Sequence, residues 1–145
     1  MKCYFPDVNV LVALVHRGNV HHPSALEWFN ALTDTTTLAF CRLPQLGFLR
    51  LLSQPAVMQK EARTQLEAWE IYDVLTSDPR VTFHTEPDAH SLGREFRALT
   101  STPHRSPQQW TDAYLTAFAR VAGLTLVTFD RGLSKLARGD MLLLD

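Results

Sequence analysis

The chain opens with a short apolar run that stops at Pro6 and is followed at once by the acidic residue Asp7. Residues 3–5 are typical of a short buried strand, and Pro6 ends it because proline has no backbone donor for a neighbouring strand. Apolar residues then recur at helical spacing over Val8–Val15. A strand that turns into a helix at an acidic residue places that residue at the carboxyl edge of a sheet, where open α/β folds bind ligands.

A second strand near the end of the chain closes in the same way. Residues 124–128 form the clearest candidate for a buried parallel strand, and Gly123 ends the helix before it. Phe129 and Asp130 then follow the strand as Pro6 and Asp7 follow the first one. We therefore expect both aspartates at the same edge of the sheet.

A third aspartate lies on a helix that is predicted to run to about Ala122. Ser106 can cap this helix, Pro107 suits its first turn, and Gln109 completes a capping box. The helix is apolar over most of its circumference, which predicts burial on nearly all sides. Its polar residues form one narrow line, which consists of Gln109, Asp112, Thr116 and Arg120. Asp112 is then either a solvated carboxylate favoured by the helix dipole or part of a polar site.

The remaining segments continue the alternation of strands and helices. The predicted elements are a helix over Pro23–Leu32, a strand over Thr36–Cys41, a helix opened by Pro44 that contains Leu52, a helix over Ala62–Leu75, a strand over Val81–Phe83, a helix from Pro87 and a strand over Met141–Leu144. This order predicts one α/β domain over residues 1–145 with a doubly wound, largely parallel sheet.

The composition limits the classes of function. A chain of 145 residues with 46% hydrophobic content suffices for the core of one domain. No membrane-spanning run or signal-peptide pattern is visible, so we expect a soluble, cytoplasmic protein. Fourteen basic and fifteen acidic residues nearly balance, so any contact with nucleic acid must be local. Cys3 and Cys41 lack paired spacing and are expected to be reduced and packed.

Three histidines lie in or beside the turn after the first helix. His16, His21 and His22 suggest a metal cluster, but they lack the helical pairing of a ligand motif. Exposed histidines at a helix entry are the preferred interpretation.

The three aspartates can converge on one edge of the sheet. Bare carboxylates held close together raise one another's pKa, and a hard divalent cation removes that conflict. Oxygen ligands without cysteine or histidine favour Mg²⁺ or Mn²⁺ over zinc. Such an ion can activate water and stabilise charge on a phosphodiester during an in-line displacement.

Four stretches of the chain resemble the PIN-domain ribonucleases and, within that family, the VapC toxins of bacterial toxin–antitoxin pairs. They are DVNVLVAL at Asp7–Leu14, HHPSALEWF at His21–Phe29, LGFLRLLSQPAV at Leu46–Val57 and TDAYLTAFARVAGLTLVTFDRGL at Thr111–Leu133. GFLR followed by QPAV is more typical of mycobacterial-type VapC proteins. The resemblance implies a PIN-like three-layer α/β/α fold and Mg²⁺-dependent endoribonuclease action on structured cellular RNA. It also implies a homodimer and a cognate antitoxin that binds the same cleft.

The resemblance also implies roles for particular residues. Asp7, Asp112 and Asp130 match the family's metal-binding acids, and Asn9 and Thr128 match polar residues that support them. One position departs, because Gln45 stands where the family usually has a glutamate just ahead of the GF-x-R motif. A glutamine can coordinate a metal or orient water through its carbonyl oxygen, but it brings no negative charge. The number of bound metals, one or two, stays open.

Basic residues near these motifs are candidates for phosphate contacts. They are Arg50, Arg105, Arg131, Lys135 and Arg138. Arg131 is the strongest candidate because it adjoins Asp130, and the alternative for all five is a solubilising surface.

Three functions remain open at this stage. A metal-dependent ribonuclease toxin is favoured because buried acids without a cation are costly. A catalytically weakened PIN domain that binds an antitoxin or acts in regulation is the second, motivated by Gln45. A small-molecule-binding α/β domain is the third, and it has the least support because no glycine-rich phosphate loop follows the first strand.

Overall fold

A computed structural model describes residues 2–145, and its strands and helices alternate as predicted. The strands are β1 Cys3–Pro6, β2 Thr37–Phe40, β3 Val81–Phe83, β4 Thr125–Thr128 and β5 Met141–Leu143. The helices are α1 Val8–Val15, α2 His22–Asn30, α3 Arg42–Leu52, α4 Pro55–Met58, α5 Gln65–Thr76, α6 Ala89–Thr100, α7 Gln109–Ala122 and α8 Arg131–Ala137, with one 3₁₀ turn at Gln59–Glu61. Among these helices of residues 2–145, none is long and apolar enough to cross a membrane.

The five strands form one sheet in the order β3-β2-β1-β4-β5, and every neighbouring pair is parallel. Helices α1 to α5 pack on one face, where they cover Leu38 and Phe40 of β2. Helices α6 to α8 pack on the other face, where they cover Phe5 and Ala39. Alternate residues of a strand point to opposite faces, so both faces of the sheet are apolar. The predicted three-layer α/β/α fold is therefore confirmed.

The central strands position the carboxyl edge through a rigid core. All four residues of β4 are buried, which is typical of a parallel strand covered by helices on both faces. Phe5 of β1 stacks on Phe118 of α7 with ring centroids 5.0 Å apart. Since both rings are fully buried, removing either one would leave a cavity and cost about 3–5 kcal/mol. β1 and β4, which lead to Asp7 and Asp130, and α7, which contains Asp112, are thus fixed relative to one another.

Helices α3, α5 and α6 begin at positions that the sequence patterns did not indicate, and α6 begins at Ala89, two residues after Pro87, with Asp88 as its cap. Helix α5 starts at Gln65 because Thr64 and Glu67 form a capping box, in which Thr64 Oγ1 accepts from the Glu67 N–H at 3.1 Å and Glu67 Oε1 accepts from the Thr64 N–H at 2.9 Å. Helix α3 starts at Arg42, two residues before Pro44. Proline is tolerated there because the first helical N–H groups have no partner within the helix.

The capping box predicted for α7 is wrong. The Gln109 N–H donates to the backbone oxygen of Ser106 at 2.9 Å, and no side chain caps the helix at Gln108. Pro107 lies in the turn before the helix. The other end matches the prediction, because Gly123 takes a left-handed conformation with φ of 71° and ends α7 ahead of β4.

Candidate active site

Asp7 leaves β1 at the carboxyl edge of the sheet and caps helix α1. Its Oδ1 accepts from the Val8 N–H at 2.7 Å, and its Oδ2 accepts from the Thr128 hydroxyl at 3.1 Å. Only 9% of the residue is exposed. Burial raises the pKa of Asp7 more than these two hydrogen bonds lower it, and the charge of Asp130 raises it further. Within residues 2–145, no basic side chain forms an ion pair with Asp7.

Thr128 connects the first and last aspartates. It is fully buried at the end of β4, the strand that pairs directly with β1. Its hydroxyl donates to Asp7 and accepts from the Asp130 N–H at 2.9 Å. The structure thus places this predicted supporting residue between the two acids.

Asp130 caps helix α8 with one of its two carboxylate oxygens. Oδ1 accepts from the Gly132 N–H at 2.7 Å and from the Leu133 N–H at 3.4 Å. A side chain at Gly132 would crowd the carboxylate, because an added Cβ would lie 3.1 Å from Oδ1. Within residues 2–145, Oδ2 has no hydrogen-bond partner and can accept from a ligand.

Asp112 lies in the first turn of α7 and is partly buried. Its pKa is raised to about 6, first by loss of solvent and then by the charges of Asp7 and Asp130. A carboxylate near a helix N-terminus would otherwise be favoured in its charged form. The prediction had left two environments open for Asp112, and the structure puts it in the field of the other two acids.

The three carboxylates fit a hydrated hard cation better than a fully dehydrated one. Within residues 2–145, no group of three His, Cys, Asp or Glu side chains is arranged to hold one ion directly. Mg²⁺ dehydrates reluctantly and usually binds through one or two carboxylates while it keeps several waters. In the part of the chain that the structure describes, none of the three acids forms an ion pair with a basic side chain, and burial together with the charges of neighbouring acids raises the pKa of Asp7 and of Asp112.

Gln45 is buried in the first half of α3, where 7% of it is exposed. Its Oε1 accepts from the guanidinium of Arg42, which in turn lies over the ring of Phe83 at 5.0 Å. The packing of Gly47 against Val8 brings α3 close to the residue after Asp7, because an added Cβ at Gly47 would lie 3.0 Å from a Val8 methyl. The carbonyl oxygen of Gln45 is therefore already engaged by a cationic side chain.

A groove of about 970 Å³ runs from Asp7 along α3 to α5. Arg50 lines this groove, so one of the predicted phosphate contacts shares a cavity with the first aspartate. Apolar side chains also line it, and Leu46 and Trp69 are 62% and 45% exposed. The groove thus offers both a basic contact and apolar surface beside the acid.

The other basic residues that were predicted to contact phosphates lie at different distances from the three aspartates. Arg131 is exposed in the first turn of α8, directly after Asp130. Arg105 lies ahead of α7 in a separate cavity of about 200 Å³. Arg138 lines a cavity with Leu124 at the amino end of β4, and its Nε donates to the Lys135 oxygen at 3.3 Å. Arg138 is therefore not brought to the acids, and Lys135 lies in the last turn of α8 beside it.

The histidines and Asn9 do not take the positions of ligands. His16 contacts Glu61 at 3.2 Å, and His22 Nδ1 is 2.7 Å from the oxygen of Ala13. His21 stacks on Phe129. Asn9 lines a cavity with Asp130 but makes no side-chain hydrogen bond to an acid within residues 2–145. The preference against a histidine metal cluster agrees with these separate partners.

The sequence patterns missed two features near this edge. The contact of Arg42 with Gln45 was not predicted, because α3 was expected to begin at Pro44. The spacing of three residues between Arg42 and Gln45 does indicate a contact on one face of a helix. The contact of His21 with Phe129 joins distant parts of the chain and left no local signal.

The family comparison agrees with this geometry. The PIN domain profile matches residues 4–139 of the sequence. The chain belongs to the PIN domain family. Among relatives, the PIN domain is 35% identical to ribonuclease VapC41 of Mycobacterium tuberculosis over 128 residues, which cover 86% of each protein. It is 33% identical to ribonuclease VapC38 of the same species over 132 residues, which cover 91% of this chain and 88% of that protein.

Solved structures share the fold of this PIN domain at low sequence identity. VapBC2 from Rickettsia felis, bound to a DNA fragment from their promoter, superimposes with a TM-score of 0.72 at 14% identity and covers 99% of this chain and 100% of that chain. VapC20 from Mycobacterium tuberculosis, a sarcin–ricin loop cleaving toxin, superimposes with a TM-score of 0.65 at 16% identity. The superposition covers 91% of this chain and 93% of that chain. The predicted resemblance to PIN-domain VapC proteins is thereby confirmed.

Proposed function

We propose that this PIN domain is a Mg²⁺-dependent endoribonuclease toxin that cleaves structured cellular RNA in the cytoplasm. The observation that carries the proposal is the closeness of Asp7, Asp112 and Asp130 at the carboxyl edge of the sheet, where burial and then the charges of the other two acids raise the pKa of Asp112 to about 6. Relatives at 30–35% identity are named ribonucleases, which supports cleavage of RNA. VapC20, the sarcin–ricin loop cleaving toxin, supports a structured RNA as the substrate class.

The residues at the edge of the sheet have different roles in this proposed chemistry. Asp7 is held in place by the Val8 N–H and by Thr128, so its carboxylate is oriented before any ligand arrives. Asp112 and the free oxygen of Asp130 complete an anionic edge. A Mg²⁺ ion bound there would activate water and stabilise the charge on the phosphodiester. Arg131, which follows Asp130, and Arg50, which lines the groove beside Asp7, would hold flanking phosphates.

We further propose that an antitoxin segment inhibits the enzyme by occupying the groove beside Asp7. The groove is large enough for a peptide, and its exposed Leu46 and Trp69 offer apolar contacts next to the acid. The fold neighbour VapBC2 supports a partner of this kind. Co-expression with the protein encoded by the neighbouring gene, the proposed antitoxin, should yield a complex. The substitution Trp69→Ala should weaken that complex.

A homodimer is the proposed oligomeric state. Val74 on α5 is 74% exposed, and it lines an apolar groove of about 500 Å³ with Leu26 and Phe29 of α2. Burial of this face against a second copy would remove apolar area from water at about 25 cal/mol per Å². Sedimentation at micromolar concentration tests the dimer, and Val74→Glu should shift it to a monomer.

A catalytically weakened PIN domain that acts as a binding or regulatory module is the second candidate. The engagement of Gln45 by Arg42 favours it, because the side-chain oxygen that could serve a metal is already occupied and no negative charge replaces the acid that the family usually has. Incubation of the purified protein with total RNA separates the two candidates. Discrete fragments that appear with Mg²⁺ and disappear with EDTA support the enzyme. Intact RNA at every Mg²⁺ or Mn²⁺ concentration supports the module.

A further inference from the structure

A second cavity lies beside Asp130, distinct from the groove that Asp7 lines. It measures about 290 Å³, near the lower end of the range for small-ligand sites. Its lining includes the side chains of Asn9, Asn19, His21 and Phe129. The proposed chemistry uses none of Asn19, His21 and Phe129, and Asn9 makes no hydrogen bond to an acid within residues 2–145, although all four line a cavity with Asp130.

The cavity contains a flat aromatic surface. The rings of His21 and Phe129 are nearly parallel, with centroids 4.3 Å apart and 17° between their planes. Phe129 is fixed because it packs against the core on the α1–α5 face. His21 is fixed at its backbone, where its N–H donates to Asn19 Oδ1 at 2.8 Å. His21 is exposed and lines the cavity, so it borders the open space that a ligand would occupy.

The chemistry of the lining selects a neutral, flat ligand with polar edges. Asn9 is exposed and makes no side-chain hydrogen bond within residues 2–145, and the NH₂ group of Asn19 also lacks a partner there. An amide can donate to and accept from the edge of a base. No lysine or arginine lines the cavity in the part of the chain that the structure describes, so the cavity itself offers no side chain that would pair with a phosphate.

We propose that the cavity is a subsite for one unstacked nucleobase of single-stranded RNA, with the base on His21 and its edge on Asn9. Proteins read loops and bulges of RNA by stacking splayed bases on aromatic side chains, histidine included. A base held here would place its own backbone beside Asp130. The inference rests on the proposed ribonuclease function and adds that an unpaired base next to the scissile bond helps to choose the cleavage position.

RNA hexamers that carry one central 2-aminopurine test the subsite by fluorescence, because stacking quenches this base. The measurement uses the full chain with the Asp7→Asn substitution and EDTA, so that RNA is bound but not cut. We expect quenching on binding and a loss of affinity of about 5- to 100-fold with His21→Ala. His21→Phe should retain both the quenching and the affinity for RNA, because it keeps a flat ring. His90→Ala, which removes an exposed histidine on α6, should change neither.

The possible results separate this inference from the proposed function. Equal binding and quenching by the parent and His21→Ala proteins, at equal thermal stability, would overturn the subsite, even if the active enzyme cleaves RNA. Loss of binding in His21→Phe as large as in His21→Ala would also overturn it, since stacking would then not be the contact. Quenching that depends on His21, in a protein whose active form never cleaves RNA, would support the subsite and overturn the ribonuclease.

Discussion

The substitution Gln45→Glu tests how the neutral amide at this position affects the metal site. A new carboxylate on α3, the helix that packs against Val8 beside Asp7, would attract a divalent cation, with a gain on the order of 1 kcal/mol for partly solvated charges, or about fivefold in Mg²⁺ requirement. In this structure, however, Arg42 donates to the side-chain oxygen of Gln45. The new carboxylate would first pair with that guanidinium.

The pairing with Arg42 offsets the expected gain. Arg42 is exposed, and an exposed ion pair contributes about 0.2–1 kcal/mol. We therefore expect Gln45→Glu alone to lower the Mg²⁺ requirement by between nothing and about fourfold, which is less than the full gain. In an Arg42→Ala background no such pair can form, and adding Gln45→Glu should lower the requirement by about fivefold.

The assay is the rate of RNA cleavage as a function of Mg²⁺ concentration for all four combinations of the two substitutions. High salt should reduce the difference between Arg42→Ala and the double variant, because it screens partly solvated charges. Gln59→Glu provides a matched control, since Gln59 is exposed in the 3₁₀ turn. Superimposable Mg²⁺ curves for Arg42→Ala and the double variant would refute the reasoning and remove Gln45 from the site.

Three further predictions concern stability and assembly. Thr128→Val keeps the shape of the side chain but leaves Asp7 Oδ2 and the Asp130 N–H without their partner, so it should lower the free energy of unfolding by about 1–3 kcal/mol in urea titrations. Metal-free protein should lose stability as the pH rises from about 4 through about 6, because the raised pKa of Asp112 means that the folded state binds its proton more tightly than the unfolded state. The loss should be about 1 kcal/mol for this partly solvated group, and urea midpoints against pH should flatten with Asp112→Asn. Sedimentation velocity should show a dimer that Val74→Glu dissociates, and an unchanged sedimentation coefficient would reject the proposed face.

The sequence predicted the fold and the place of the acids because both depend on local patterns. A buried apolar run followed by an aspartate identified the ends of β1 and β4, and parallel pairing then required Asp7 and Asp130 to share an edge. Asp112 could not be assigned in this way, because a helix pattern does not say which polar line faces a site. The packing of α7 against the sheet determines that Asp112 lies within the influence of the charges of Asp7 and Asp130.

Some features that the sequence did not predict depend on contacts between segments that are distant in the chain. Others depend on the backbone of a few residues, at a helix start or in a very short helix. His21 contacts Phe129 only because α2 and the end of β4 meet at the sheet edge. The start of α7 uses a backbone hydrogen bond from Gln109 where a side-chain cap was expected. Helix α4 has four residues, too few for a periodic apolar pattern.

Cleavage of a defined stem-loop RNA by the Asp7→Asn variant tests the central claim most directly. Burial raises the pKa of Asp7, so its charge opposes folding, and the neutral amide should leave the metal-free protein at least as stable. Asp73→Asn, an exposed change on α5, is the matched control. The account predicts Mg²⁺-dependent cleavage by the parent and control proteins and none by folded Asp7→Asn. Equal cleavage rates for all three proteins would contradict it.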